Sequence, residues 1–259
     1  MKSPGITKSE VTEANRLFYD AVADQYEAVD GRRSYELTAW LRRRLLALRQ
    51  AAPGGRLLDL GAGSGFVSRC ASGVFTKRVG VDISPRILDA NRDAFDETRA
   101  ADLEHLPFAD GSFDVVVCFA VLHHLFSFDG LVSEAHRVLS PGGVFYSDHD
   151  MDSAFFRRFR LPLKVYRRIR NDQLRYERVA AGIGGEVYRL SEWHEEGVDS
   201  DRVEALFRSF GCAVQRNYHW YGLNGLTNRL FGPRLYRRGW APLLSLEARK
   251  APAADMARA

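Results

Sequence analysis

The chain has 259 residues, 46% of them apolar and 27% charged, which is the make-up of a globular protein long enough to bury a sizeable core. A formal net charge of +4 is too small to single out nucleic acid as a partner. Three scattered cysteines (Cys70, Cys118 and Cys212) exclude a disulfide framework, the polar start lacks a secretory apolar core, and no apolar run nears the ~18 residues of a membrane span; the expected location is the cytoplasm.

In chain order, apolar residues at helical spacing (Leu17, Phe18, Val22, Tyr26, then Leu37, Trp40, Leu41, Leu45, Leu48) predict helices from about Glu10 to Leu48, broken by Pro53-Gly54-Gly55. Leu57-Leu58-Asp59-Leu60 reads as a first strand running into Gly61-Ala62-Gly63-Ser64-Gly65, with a helix following to about Val74. Arg78 to Asp82 is a second strand, and Ser84-Pro85 opens a helix with an N-cap and a proline at its first position. Thr98 to Ala101 is a third strand ending at Asp102. Asp114 to Ala120 is apolar after its first residue, as a doubly covered parallel strand should be. A helix from Phe128 to Leu139 stops at Ser140-Pro141-Gly142-Gly143, and Val144 to Ser147 is the fifth strand. Residues 152–197 break the rhythm and read as an insertion. A helix at Asp201 to Phe207 and strands at Ala213 to Trp220 and Leu243 to Ala248 complete the chain. Such alternation predicts an α/β fold, a doubly wound, mostly parallel seven-stranded sheet. The expected organisation is one domain: N-terminal helices in 1–52, a ligand-binding core in 56–150, a basic helical cap in 152–197, and the last strands in 198–250.

Ligands of such sheets bind beyond the carboxyl ends of the strands. The first strand ends in GxGxG rather than the GxGxxG of dinucleotide folds, and an acid, Asp59, precedes it. An acid there opposes a pyrophosphate and suits an amine. Asp82 follows 23 residues later, where a ribose diol is bound. The site therefore asks for a ribose and a cationic amine, which disfavours a nicotinamide dehydrogenase.

With these motifs the sequence resembles the class I S-adenosylmethionine-dependent methyltransferases, in the small-molecule branch related to ubiquinone and menaquinone biosynthesis. The resemblance runs from Leu57-Leu58-Asp59-Leu60-Gly61-Ala62-Gly63-Ser64-Gly65 through Val79-Gly80-Val81-Asp82-Ile83-Ser84 to Ala101-Asp102-Leu103-Glu104-His105-Leu106-Pro107-Phe108. It continues through Ser112-Phe113-Asp114-Val115-Val116-Val117 and Val121-Leu122-His123-His124-Leu125 to Arg137-Val138-Leu139-Ser140-Pro141-Gly142-Gly143. It implies a Rossmann-like fold, S-adenosyl-L-methionine as cofactor, and methyl transfer. It also implies roles. Gly61, Ala62 and Gly63 line the methionine part, with Asp59 near. Asp82 takes the ribose hydroxyls, Ile83 lies on the adenine, and Asp102, with Leu103 beside it, meets the adenine amino group. The backbone of Phe119 to Val121 reaches the methionine amine, and Tyr19 and Tyr26 match aromatic positions of the family's N-terminal helix.

Candidate bases are His124, beside His123 past the fourth strand, and His149, past the fifth, because an imidazole titrates near neutrality. Asp148-His149-Asp150-Met151-Asp152 carries metal-ligand types, yet no acid follows the fourth strand where a metal motif belongs; no metal is expected, and Asp150 or Asp152 is read as a helix cap. Cys118, inside an apolar strand, reads as buried core. There is no Asn/Asp-Pro-Pro-Tyr/Phe motif of amino methyltransferases. In the insertion, Phe155 to Arg170 interleaves arginine with apolar residues, and Arg229, Arg234, Arg237 and Arg238 form a second basic group. Four readings stand for this cap: a helix pair with a solvated basic face, a surface touching anionic lipid, a lid for an anionic substrate, or, last because no recognised RNA-binding module is appended, an RNA-binding surface. The expected partner is a small-molecule or lipid-like acceptor with an anionic part, not nucleic acid; the oligomeric state is left open. The alternatives are RNA or protein methylation and a non-catalytic cofactor-binding module.

Overall fold

The computed structural model describes residues 5–26, 34–170 and 184–253. Its strands are β1 (Arg56–Leu60), β2 (Lys77–Asp82), β3 (Glu97–Ala100), β4 (Phe113–Phe119), β5 (Leu139–Met151), β6 (Ala213–His219) and β7 (Leu243–Arg249). They form one seven-stranded sheet in the order β3-β2-β1-β4-β5-β7-β6. The first five are parallel, and β7 runs antiparallel to both β5 and β6. The predicted doubly wound, Rossmann-like α/β sheet is what the chain forms.

Alternation along the strands builds two cores. Leu58, Leu60, Val79, Val81, Val116, Cys118 and Phe145 face one layer, while Leu57, Val115, Val117, Val144 and Tyr146 face the other. This is the period of two that a pleated strand imposes when both faces are covered. Helices α1 (Lys8–Val22) and α2 (Tyr35–Ala51) precede the sheet. α1 starts at a Thr7–Glu10 capping box, and α2 at Ser34, whose hydroxyl accepts from Leu37 N–H. The helix after the glycine loop, α3 (Phe66–Cys70), is shorter than its sequence pattern implies, ending in a turn at Ala71. α4 (Pro85–Ala90) begins as expected, with Ser84 as N-cap and Pro85 first. α5 (Asp129–Val138) crosses back to β5.

The one charged residue of β4, Asp114, closes the opposite end of the sheet. Its carboxylate accepts from Arg56 N–H at 3.0 Å and Ser140 Oγ–H at 3.0 Å, beside the Arg56 guanidinium. Beyond β5 come α6 (Ser153–Arg158), α7 (Arg160–Arg170) and α8 (Gly185–Ser191), followed by α9 (Ser200–Ser209) and α10 (Gly225–Phe231). α8 lies against α1 through Phe18, Val22, Val187 and Tyr188. Residues from both helices therefore sit above the carboxyl ends of the strands.

Candidate active site

At the end of β1 the chain must turn sharply beneath a neighbouring loop. Gly61 has φ +66°, and a Cβ there would lie 2.5 Å from Val121 Cγ2, so both conformation and space demand glycine. Ala62 N–H donates to Val81 O at 2.9 Å, and Gly63 N–H donates to Asp82 Oδ2 at 2.9 Å. The loop is thus fastened to the end of β2. Asp82 also accepts from Ser84 N–H at 3.0 Å and is 6% exposed. Burial pushes its pKa up to about 6, against the pull of the Ser84, Gly63 and Ile83 N–H groups. Asp59 lies in the same pocket, 2% exposed, and Ile83, Asp102 and Leu103 follow along its wall.

Past β4, Leu122–His124 forms a 3-10 turn capped from outside by Asp150. Asp150 Oδ1 accepts from His123 N–H at 3.1 Å and from His123 Nδ1 at 2.6 Å. Asp150 therefore caps this turn, whereas Asp152 caps α6, accepting from Ala154 N–H at 2.9 Å. His124 Nδ1 lies 2.5 Å from the Ser191 carbonyl, which can only accept. The proton sits on Nδ1, and Nε2 accepts from the Tyr19 hydroxyl at 2.7 Å. Burial, with His123 alongside, pushes the His124 pKa down to about 4, leaving the ring neutral at pH 7. Both ring nitrogens of this predicted base are engaged, although it lines the cavity beside Tyr19.

His149 is held differently. β5 runs four residues past Ser147, because β7, almost a hundred residues later, pairs with it through Met151. The register shifts between Asp148 and Asp150, so His149 is the extra residue of a bulge, at φ +68°. A bulge re-aims its side chain. Ala120, also at positive φ (57°), donates its N–H to Asp148 O at 2.8 Å, so the two strained residues adjoin. Such conformations cost roughly 1–3 kcal/mol each and persist where surrounding structure enforces them.

That enforcement is visible around the ring. Asp148 Oδ1 accepts from His149 Nδ1 at 2.7 Å and His219 Nε2 at 3.0 Å, while the Tyr146 hydroxyl donates to Oδ2. Burial, the largest influence on Asp148, raises its pKa, but the charges and hydrogen bonds of His219 and His149 together outweigh it and hold the carboxyl well below its usual range. An ionised carboxylate can only accept, so His149 carries a proton on Nδ1, and in the neutral form of the ring the lone pair is on Nε2. Phe119 stacks on the ring at 4.4 Å, and Trp40 closes its other side at 5.5 Å. Gly222 (φ +96°) leaves the last space, since a Cβ there would lie 2.2 Å from His149 Nε2. Gly222→Ala should displace the imidazole and lower turnover on the order of a hundredfold, with cofactor affinity retained. Unchanged steady-state turnover in that variant would mean that the position of the ring is unimportant.

One cavity gathers these parts. Its wall includes every residue predicted from sequence: Tyr26, Asp59, Gly61, Ala62, Gly63, Asp82, Ile83, Asp102, Leu103, Phe119, Val121, His124 and His149. Sequence reasoning missed Asn15, Leu37, Phe126, Glu192, Gly222 and Leu243, which come from distant segments and share no local motif. Among the described residues no lysine or arginine lines the cavity. The described residues therefore form no arginine lid there, and Arg167 of the predicted cap lies outside the described side chains. Arg157, Arg158, Arg160 and Arg168 are exposed, and Arg238 is tied to Asp152 and Asp201. Two groups, Asp148/His149/His219 and His123/His124/Glu192, have ligand-type atoms within 4.8 Å of one another. The hydrogen bonds above already organise both.

Residues 58–147 match the family model described as a methyltransferase domain. Over 234 residues the chain is 29% identical to the demethylmenaquinone methyltransferase of Tropheryma whipplei, covering 84% of this chain and 92% of that one. Over 130 residues it is 32% identical to the malonyl-[acyl-carrier protein] O-methyltransferase of Serratia marcescens, covering 48% and 50% of the two chains. Among solved structures, an S-adenosylmethionine-dependent methyltransferase from Mesorhizobium loti superposes with a TM-score of 0.52 at 21% identity, covering 79% of this chain and 96% of that one. An N-methyltransferase from Bradyrhizobium japonicum gives 0.54 at 13%, covering 84% and 98%. Fold and matched domain together define a methyltransferase. The chain is an S-adenosylmethionine-dependent methyltransferase with S-adenosylmethionine as its cofactor, and over the spans just given it is similar to a quinone-biosynthesis enzyme.

Proposed function

We propose that the enzyme methylates a hydroxylated ring compound of small-molecule or lipid-like kind, with His149 taking the hydroxyl proton. One observation carries this reading: His149, fixed by the buried Asp148, lines the same cavity as Asp59, Asp82 and the Gly61 turn. The demethylmenaquinone named by the Tropheryma relative becomes a compound of this chemical kind when reduced to its quinol. Aromatic walls from Phe18, Tyr19, Tyr26, Phe119 and Phe126 suit a flat apolar body.

The residues present fit the cofactor. The Gly61 turn packs tightly under Val121, the loop stays open at Gly63, where a Cβ would meet nothing nearer than 3.8 Å, and the buried Asp82 is rigidly presented by two N–H groups. Asp82 would accept from both ribose hydroxyls and Asp59 would face the methionine amine, aided by the backbone of Phe119 to Val121. Gly61, Ala62 and Gly63 would line the methionine chain. Ile83 and Leu103 would flank the adenine, with Asp102 at its amino group and Tyr26 above. When bound, the cofactor supplies an electrophilic methyl group on a sulfonium, and the protein aligns the acceptor with it. His149 would take the proton of the acceptor hydroxyl on Nε2, which is buried beside Gly222 and must turn toward the acceptor to do so. Asp148 fixes the tautomer and stabilises the imidazolium that forms, the role a buried carboxylate plays beside a catalytic histidine. The freed electron pair, shared between oxygen and the adjoining ring carbons, makes the new bond.

Tyr19 and His124 position the acceptor rather than take its proton. Tyr19→Phe should raise the acceptor KM by up to about tenfold, the worth of one neutral hydrogen bond, with little change in kcat. A hundredfold loss of kcat would move the proton transfer to Tyr19. The reading as a whole is tested with naphthols and demethylmenaquinol beside analogues lacking the hydroxyl group. Methylation of the hydroxylated compounds only is expected; equal rates on the analogues would remove the base from the mechanism.

A further inference from the structure

Outside the cavity wall, to which only Leu223 of the segments below belongs, the surface has a one-sided composition. The segments 153–170 and 223–240 hold eleven of the chain's 37 basic residues and none of its 33 acidic ones, so the remainder is net acidic. Folding brings the two segments together. Arg158 lies over the Trp240 ring at 3.7 Å, and Phe159 meets Trp240 at 6.5 Å. Phe155 packs edge-on against Trp220 at 5.1 Å, which stacks on Phe231 of α10 at 4.7 Å. The aromatic seam anchors α6 and α10, and with them Phe159 at the start of α7, and leaves the outer faces of α7 and α10 to solvent.

Those outer faces are apolar where a water-facing surface would not be. On α7, Leu161 and Val165, one helical turn apart, are 77% and 60% exposed. On α10, Leu226 and Leu230 repeat the spacing at 67% and 60%, with Leu235 and Trp240 exposed beside them. Next to the Leu161–Val165 stripe runs a second one, Arg160, Lys164 and Arg168, also exposed. Arg229, Arg234 and Arg237 flank α10 in the same way.

We infer that this face docks the enzyme on an anionic lipid surface. Leucine, valine and tryptophan enter the headgroup boundary, while arginine and lysine stems lie along the apolar layer with their charges at phosphate level. A second copy of the chain is a poor occupant, because a two-fold contact would set basic residues against their own kind. Nucleic acid would engage the arginines but leave the leucines exposed. The inference stands apart from the proposed acceptor, since it draws on no cavity residue.

The test is co-sedimentation with phosphatidylcholine vesicles, with and without phosphatidylglycerol. Wild-type protein should bind the mixed vesicles and lose binding as salt is added. A basic side chain near such a surface contributes about fivefold, so Arg229→Gln/Arg234→Gln/Arg237→Gln should weaken binding by roughly a hundredfold. Leu226→Ser/Leu230→Ser should weaken it by about tenfold or more, because partly buried leucines are lost. Both variants should bind S-adenosylhomocysteine like wild type, which establishes that they are folded. The inference is overturned if wild-type protein ignores the mixed vesicles, if the leucine variant binds them unchanged, or if single-stranded RNA is retained where vesicles are not.

Discussion

Asp82→Ala is expected to weaken the binding of S-adenosylmethionine and S-adenosylhomocysteine by on the order of 2–4 kcal/mol, roughly thirty- to a thousandfold, because two charge-assisted hydrogen bonds to the ribose are lost. Calorimetry on the purified variant measures this directly, and NAD should bind neither protein. The effect should also appear as a pH dependence in the wild type. Burial pushes the Asp82 pKa up to about 6 in the free protein. Only the ionised carboxylate accepts from both hydroxyls, so affinity should hold above pH 7 and fall about tenfold for each unit below 6. The same shift acts on stability with a definite sign. A folded pKa raised from 3.8 to about 6 means that the native state holds the proton longer. Stability of the free protein therefore falls as pH rises through that window, by on the order of 3 kcal/mol. Cofactor binding then returns hydrogen bonds to the charged group, so the thermal shift on adding S-adenosylhomocysteine should be larger at pH 7 than at pH 5. Unchanged affinity in Asp82→Ala would remove the ribose assignment.

The second large effect is expected at His149. His149→Asn should lower turnover by about a hundredfold or more, the usual worth of a positioned base, while leaving cofactor affinity near wild type. Asparagine is chosen because it tolerates positive φ, and the bulge holds this residue at φ +68°. The fold should therefore survive, and thermal unfolding should shift little or upward. If turnover falls only because S-adenosylhomocysteine no longer binds, the residue is structural. If turnover stays, proton removal lies elsewhere, with the Tyr19–His124 pair the nearest candidate.

What the sequence made legible was local. A strand of four apolar or acidic residues, a glycine turn and a second acid sit within one βαβ unit, and the structure places Asp59, Gly61 and Asp82 around one pocket. Asp102, at the end of the next strand, follows by the same regularity. Legibility failed where partners are distant. β5 reads as ending near Ser147 because nothing in Asp148-His149-Asp150-Met151 looks like a strand; it continues because β7 supplies the hydrogen bonds. The partners of His149 and Asp148 come from Phe119, Trp40, Gly222 and His219, spread over most of the chain. His124 looked like a base until the Ser191 carbonyl, 67 residues on, claimed one nitrogen and Tyr19 the other. The arginines of the insertion show why amphipathic patterning is a partial guide. It gives a helix an outer face but does not say whether that face meets a cavity, water or a lipid surface.

The most direct test follows an isotopically labelled methyl group from S-adenosylmethionine into a mixture of demethylmenaquinol, simple naphthols, amines and carboxylic acids, using wild-type protein, Asp82→Ala and His149→Asn. The predicted result is label in a hydroxylated ring compound with wild-type protein, almost none with Asp82→Ala at limiting cofactor, and at least a hundredfold slower transfer with His149→Asn at saturating cofactor. Label appearing only in an amine or a carboxylic acid, at the same rate in wild type and His149→Asn, would contradict it.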